Sequence, residues 1–122
     1  MSERSETEID RQEGFHTISP EQADSLRKQI PGEEKIDHLG NLFSILRDPT
    51  RLRILLYVSR QELCVHDLTE LLDMNQPAVS HQLGKLQDHN LLERRKDGRV
   101  VYYSLKDEVS IQLINKALDL LP

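Results

Sequence analysis

The sequence has little of what several classes of protein depend on. Among 122 residues it has one cysteine, Cys64, no tryptophan and only 4% aromatic residues. A single cysteine excludes a disulfide, or a dithiol redox switch, within one chain, so a disulfide-stapled secreted scaffold is not expected. No apolar run approaches the roughly 18 to 20 residues that a membrane span needs, and the polar N-terminus has no signal-peptide pattern. We therefore expect a protein of the reducing cytoplasm.

Sequence motifs of catalysis are also missing. There is no nucleophile elbow, no glycine-rich phosphate loop and no pair of metal-binding histidines one helical turn apart. With 122 residues, of which 37% are apolar, the chain is long enough for one compact domain but not for a catalytic domain beside a regulatory one. An enzyme is not expected.

Charge is unevenly distributed along the chain. The formal net charge is -5, and residues 1–47 hold six Lys or Arg against ten Asp or Glu. Residues 74–106 reverse this balance, with six basic residues against three acidic ones. A local basic excess on an acidic protein indicates one surface for an anionic partner rather than a nonspecific coat.

The first part of the chain divides into a tail and the start of a domain. We expect residues 1–18 to be a mobile polar tail, because they hold too little apolar surface to offset the entropy of ordering them. The domain, residues 19–122, opens at Ser19, where an N-cap, a first-turn proline and a capping-box glutamine at Gln22 predict a helix as far as Gln29.

Three further helices lie outside the central motif. One is predicted from about Glu33 to near Arg47, and the next has Asp48 as its N-cap and Pro49 in its first turn. The predicted buried face of that next helix is Leu52, Leu55, Leu56 and Val58. The last opens at Asp107 and has an apolar face of six residues: Val109, Leu113, Ile114, Ala117, Leu118 and Leu121.

The most informative segment runs from residue 65 to residue 90. A short amphipathic helix with Val65, Leu68, Leu71 and Leu72 is followed by a turn at Met74-Asn75 and a second helix, which we call the reading helix. Its core stripe is Val79, Leu83 and Leu86. This pattern predicts a DNA-binding helix-turn-helix, in which side chains that donate and accept hydrogen bonds face the major groove. The candidates on the reading helix are Gln76, Ser80, His81, Gln82 and Lys85.

A β-hairpin is predicted directly after the reading helix. Two β-leaning runs in LLERRKDGRVVYYSL meet at Lys96-Asp97-Gly98, where Asp-Gly tolerates the positive φ of a tight turn. A hairpin in this position is the wing of a winged helix, and basic residues at its tip can contact DNA phosphates. The wing residues predicted to contact DNA are Arg94, Arg95, Lys96 and Arg99.

The fold class that follows is mainly α with a small β-hairpin: a winged helix-turn-helix. The helices before and after the motif carry more apolar surface than one small domain can cover, so we expect a homodimer formed through the first and last helices. A two-fold dimer presents two reading helices about one helical turn of DNA apart, which predicts a pseudo-palindromic operator in double-stranded DNA.

Four blocks of the sequence resemble the ArsR/SmtB family of winged-helix repressors: DPTRLRIL from Asp48, ELCVHDL from Glu62, AVSHQLGKL from Ala78 and RRKDGRVVYYSL from Arg94. The resemblance covers about residues 33–121. It implies a dimeric transcriptional repressor of a kind that is usually released from DNA by a metal ion or metalloid, or in some branches by oxidation of a cysteine pair.

The resemblance also implies candidate metal ligands at the start of the first motif helix and in the N-terminal extension, the latter often from the other protomer. Here these are Cys64, His66 and Asp67, with His16 in the extension, and mixed sulfur, nitrogen and oxygen donors suit zinc or a similar divalent ion. Cys64 and Asp67 share a helix face, but Cys64 and His66 diverge by about 200° unless Cys64 precedes the helix. The alternative is that Cys64 is a small buried hydrophobe.

A second family site, on the last helix, is not expected here. Of its ligands only Asp107 is kept, because Val109 and Leu120 occupy matching positions and cannot coordinate a metal. Three functions therefore remain open: a repressor released by a metal ion, an ArsR-like DNA-binding regulator that is constitutive or answers another signal, and a winged helix that binds protein.

Overall fold

The computed structural model describes residues 17–122. The predicted tail, apart from its last two residues, and the candidate ligand His16 lie outside the described residues. Within them the chain forms six helices and three strands. In chain order these are α1 (Pro20–Gln29), α2 (Glu33–Leu46), α3 (Pro49–Val58), β1 (Leu63–Cys64), α4 (Val65–Leu72), α5 (Gln76–Asp88), β2 (Leu92–Asp97), β3 (Val100–Leu105) and α6 (Val109–Leu118).

The predicted helix starts are confirmed by their caps. Ser19 and Gln22 form the expected capping box, in which the Gln22 amide donates to Ser19 Oγ at 3.1 Å and the Ser19 amide donates to Gln22 Oε1 at 2.8 Å. Asp48 caps α3 by accepting from the Arg51 amide at 3.0 Å. Each cap satisfies a backbone donor that has no partner within the helix.

The chain divides into two compact units, and the boundary falls within α2, after Asp37. The first contains α1, which has no buried residue. The second, from His38 onward, contains the hydrophobic core, which is built mainly from α3, α4 and α5. Its fully buried side chains are Ile54, Leu55, Leu68, Val79, Leu83 and Leu86.

The core differs from the sequence prediction at two positions. Ile54 is fully buried although it was left out of the predicted face of α3, whereas Leu71 of α4 is 44% exposed. Helical periodicity gives the direction in which a side chain points. Which residues of the apolar stripe are buried depends on the neighbouring elements that pack against the helix.

The sheet has three antiparallel strands in the order β1-β3-β2. β2 and β3 form the predicted hairpin, with Arg95 opposite Tyr102 and Asp97 opposite Val100. β1, which the sequence did not predict, adds to the free edge of β3 and sets Cys64 opposite Tyr102. The hairpin is thereby tied to the segment that leads into α4.

The turn of the hairpin lies one residue later than predicted. Asp97 is the last residue of β2, and the two-residue turn is Gly98-Arg99. Gly98 has a φ of +64°, while Arg99 is not among the residues with positive φ. A positive φ at the first turn residue alone is the pattern of a type II′ turn, in which glycine takes that position.

Burial in the core predicts how two substitutions in α4 change the free energy of unfolding. Leu68→Ala removes a fully buried side chain and should lower the free energy of unfolding by about 2 to 5 kcal/mol. Leu71→Ala, on the same helix and 44% exposed, is the matched control and should change it by less than about 1 kcal/mol. Urea titrations at one fixed protein concentration measure both. Equal losses for the two variants would contradict the described core.

Candidate functional site

The reading helix is α5, and its orientation follows from its buried stripe. The Asn75 side chain caps the helix by accepting from the Ala78 amide at 2.9 Å, and Pro77 lies in the first turn. The residue that ends the preceding helix, Asp73, has a φ of +52°, a left-handed conformation that glycine more often adopts at this position. Because one side of α5 is buried against the core, its other side is held toward solvent.

The predicted base-reading residues divide into two groups on this helix. Gln76, Ser80, His81 and Lys85 are exposed, whereas Gln82 is half-buried. Four of the five candidates thus lie on a surface that a DNA groove can reach, with polar groups that match base edges and phosphates.

Gln82 is held by a side chain that the sequence did not single out. Its Oε1 accepts a hydrogen bond at 2.9 Å from Nη1 of Arg51, a residue in the first turn of α3. Arg51 Nε donates at 2.8 Å to the backbone carbonyl of Ile45, near the end of α2. One guanidinium therefore connects the α2–α3 junction to the reading helix.

The four basic wing residues are all exposed, but they are not equivalent. Arg95 donates three hydrogen bonds of 3.0 to 3.2 Å to the carboxylate of Glu62, and its guanidinium lies 4.8 Å from the centre of the Tyr102 ring. Arg94 lies 5.9 Å from the ring of Tyr103. Lys96 and Arg99 have no salt bridge to any residue that the structure describes.

The Glu62–Arg95 pair is charge-assisted and bidentate. Hydrogen bonds from Arg95 lower the pKa of Glu62, and the same bonds raise the pKa of Arg95. Both groups stay ionised at neutral pH, and a bidentate guanidinium has a defined orientation. In this conformation Arg95 is paired with Glu62, whereas Arg94, Lys96 and Arg99 have no salt bridge to any residue that the structure describes.

The candidate metal ligands lie where β1 meets α4. Cys64 is the N-cap of α4 and half-buried, so it does precede the helix. The Asp67 carboxylate accepts from the Cys64 amide at 3.0 Å, and this bond is the main reason why the pKa of Asp67 is lowered. His66 is exposed. The start of α4 thus brings together Cys64 and Asp67.

A complete set of metal ligands is not formed by the described part of the chain. Among residues 17–122, no group of three or more His, Cys, Asp or Glu side chains is positioned to hold a metal ion. A groove of about 510 Å³ does lie beside His66 and Asp67, with Tyr57 and Leu63 among its lining residues. None of the helices among residues 17–122 has the length and apolar character needed to cross a membrane.

Apolar surface remains uncovered on α2 and α6. Phe43 of α2 is 51% exposed, Val109 of α6 is 66% exposed and Leu121, just after α6, is 65% exposed. An apolar groove of about 340 Å³ runs between these helices and α3, lined in part by Phe43, Leu52 and Leu118. A contiguous surface of this kind is typical of an interface with another protein.

Sequence reasoning missed Arg51 and Glu62. Both stand inside the blocks that carry the family resemblance, DPTRLRIL and ELCVHDL, but neither has a periodicity or spacing that reveals its partner. Gln82 is 31 residues from Arg51, and Arg95 is 33 residues from Glu62. Contacts over such distances depend on the tertiary structure.

Comparison with known proteins agrees with this geometry. The model of the family described as "Bacterial regulatory protein, arsR family" matches residues 48–94. A transcriptional repressor SmtB homolog from Synechocystis sp. is 38% identical over 99 residues, which cover 81% of this chain and 75% of that protein. The chain belongs to the ArsR family. A cadmium resistance transcriptional regulatory protein CadC homolog from Staphylococcus aureus is 33% identical over 101 residues, with 82% and 83% of the two chains covered.

Solved structures support the same fold for this ArsR-family chain. The transcriptional repressor BigR from Xylella fastidiosa matches with a TM-score of 0.67 and 27% identity, over 74% of this chain and 92% of that one. The homodimeric winged helix-turn-helix DNA-binding domain Mb0332 from Mycobacterium bovis matches with a TM-score of 0.64 and 23% identity, over 87% and 89%. The protein is a winged-helix, DNA-binding transcriptional repressor, and the relatives named above are transcriptional regulators.

Arg99 and Arg95 of the wing should contribute differently to DNA binding by this ArsR-family protein. Arg99→Ala removes a cation that has no salt bridge within the described chain, so it should weaken binding to all DNA sequences alike and reduce the salt slope by about one. Arg95→Ala should have a smaller effect on the salt slope, because Arg95 is already paired with Glu62. Fluorescence anisotropy at several salt concentrations measures both. A base-specific effect of Arg99→Ala would contradict its assignment to phosphate.

Proposed function

We propose that this repressor binds a pseudo-palindromic operator as a homodimer and is released from it by a metal ion. The exposed polar face of α5, next to a basic wing, is the observation that best supports DNA binding through this surface. Phosphate contacts position such a protein, and base contacts select the sequence. The proposed base-reading residues are Gln76, Ser80, His81, Gln82 and Lys85, and the proposed phosphate-contacting residues are Arg94, Arg95, Lys96 and Arg99.

The uncovered apolar surface supports the homodimer. Phe43 and Val109 are more than half exposed, and covering such side chains with a second copy of the chain would remove apolar area from water. A closed two-fold dimer buries the same surface on both copies. It would also present two reading helices to successive major grooves on one side of the DNA.

For the effector we propose zinc or a similar divalent ion. One relative is named as a cadmium resistance regulator, and the segment before α4 supplies a thiol, an imidazole and a carboxylate from Cys64, His66 and Asp67. Such donors suit a tetrahedral zinc site, which needs four ligands. The further donor proposed is His16 of the other protomer, and it lies outside the described residues.

A change at Cys64 has a direct path to the wing. Cys64 pairs with Tyr102 across the β1–β3 ladder, and the Arg95 guanidinium lies over the Tyr102 ring. Glu62, two residues before Cys64, accepts a hydrogen bond from the same guanidinium. Displacement of β1 would therefore move Arg95 and the strand that carries it. Coupling between effector and DNA of about 1 to 3 kcal/mol, equal in both directions, is typical of such linkage.

One observation favours a second candidate, an ArsR-family repressor that is constitutive or answers another signal. Asp67 already has a structural role, because its carboxylate accepts from the Cys64 amide as the partner in the N-terminal cap of α4. In that case Cys64 is a half-buried packing residue, and zinc does not affect operator binding.

Zinc titration of the wild type and of Cys64→Ser separates the two candidates. The proposal predicts that Cys64→Ser weakens zinc binding about tenfold or more and reduces zinc-induced operator release by a similar factor, since a thiolate ligand is lost. His38→Asn is the control, because His38 is an exposed residue of α2 and should leave both quantities unchanged. Zinc affinity is measured by competition with a chelator and release by anisotropy. Equal zinc affinity and equal release in the wild type and in Cys64→Ser would remove Cys64 from the mechanism.

A further inference from the structure

Arg51 makes three hydrogen bonds within the second unit. Its backbone amide donates to the N-cap Asp48 at 3.0 Å, its side-chain Nε donates to the carbonyl of Ile45 at 2.8 Å, and its side-chain Nη1 donates to Gln82 Oε1 at 2.9 Å. The first two bonds fix Arg51 to the junction between α2 and α3. The third reaches the reading helix.

The Ile45 carbonyl explains why this guanidinium has a defined position. Ile45 lies in the last turn of α2, where backbone carbonyls lack partners within the helix. Arg51 satisfies this carbonyl, and the rest of its planar guanidinium is then oriented as well. The direction of Nη1 is thus set by the end of α2, not by Gln82 alone.

The contact has a consequence for the carboxamide of Gln82. A glutamine side chain has an acceptor end, Oε1, and a donor end, Nε2. Because Oε1 accepts from Arg51, the Gln82 carboxamide has a defined orientation. Within residues 17–122 no hydrogen bond joins Nε2 to a protein acceptor, so its two N–H groups remain available.

Gln82 also lies at the edge of the exposed face of α5. It is half-buried, and it lies on the same side of the helix as the exposed Lys85, three residues later. Its inner end therefore contacts α3 while its outer end borders the surface proposed to face DNA.

We propose that Arg51 is a positioning residue that fixes the orientation in which the Gln82 amide meets a base in the major groove. The inference rests on the proposed reading of DNA by α5. A glutamine amide can donate to adenine N7 and accept from the N6 amino group, and this bidentate contact needs one particular orientation of the amide. Oε1 has two lone pairs, so it can bind Arg51 and still accept from a base. The bond from Arg51 therefore holds the amide in one orientation, and without this bond the amide turns more freely and the base preference at that position weakens.

The test compares base preferences, which a purely structural role would not alter. The full-length wild type is first used to select its preferred site from randomised double-stranded DNA. Each position of the selected half-site is then replaced by the other three base pairs, and affinity is measured by anisotropy. The variants are Arg51→Met, Arg51→Lys and Gln82→Met, with Arg53→Lys as the matched control because Arg53 is exposed two residues further along α3.

Arg51→Met and Arg51→Lys should each weaken the preference for the selected base at one position by about 5- to 150-fold, the range for one bidentate contact. Affinity for a nonspecific duplex should stay within about twofold of the wild type, and Arg53→Lys should keep the wild-type preference. Gln82→Met should relax preference at the same position. In the Gln82→Met background, Arg51→Lys should have no further effect on base preference, because Arg51 acts through Gln82. If Arg51→Met does not fold, Arg51→Lys gives the same comparison.

Three results would overturn this inference, and a fourth would overturn the function on which it rests. The inference fails if the Arg51 variants only lower the melting temperature and keep the wild-type base preference. It also fails if Arg51→Lys still alters preference in the Gln82→Met background. If Gln82→Met keeps the wild-type preference, Gln82 does not read a base although α5 does. If the wild type itself does not discriminate among base variants, the proposed reading function is wrong.

Discussion

The orientation of the reading helix depends on the burial of three side chains, Val79, Leu83 and Leu86, which are at most 1% exposed. They pack with Leu68 of α4 and Leu55 of α3, so the two motif helices and the supporting helix share one core. Burying each such side chain contributes about 1.5 to 3 kcal/mol. Because a helix has one face to bury, fixing this stripe also fixes the direction of Ser80 and His81. The polar surface proposed to bind DNA is thus a consequence of core packing.

Two polar contacts then connect other elements to the reading helix and to the wing. Arg51 ties the end of α2 to Gln82 of the reading helix, and Glu62 ties the segment before Cys64 to Arg95 of the wing. Both use a guanidinium, whose planar geometry gives direction as well as attraction. The first contact bears on which base is selected, and the second on how a signal at Cys64 would reach the wing.

Local sequence signals were sufficient for most of the fold and for part of the site. Caps at Ser19 and Asp48 predicted helix starts correctly, because capping depends on residues only three apart. The predicted position of the hairpin turn was wrong by one residue. Asp97 and Gly98 both tolerate turn conformations, and only the pairing of Asp97 with Val100 shows that Asp97 belongs to the strand. Strand β1 and the partners of Gln82 and Arg95 could not be predicted, because they lie more than 30 residues apart in sequence. The DNA-contacting and metal-binding assignments stay predictions.

The outward face of α5 is the surface that we propose reads DNA sequence. The most direct measurement is the affinity of wild type, Ser80→Ala and His81→Ala for the selected operator and for a scrambled duplex of equal length, across a series of salt concentrations. We expect the wild type to prefer the operator by at least about 10³-fold. Each variant should lose about 1 to 3 kcal/mol of that preference, and its salt slope should be unchanged because no phosphate contact is removed. Weak, salt-insensitive binding by the wild type, or full preference in both variants, would contradict the account.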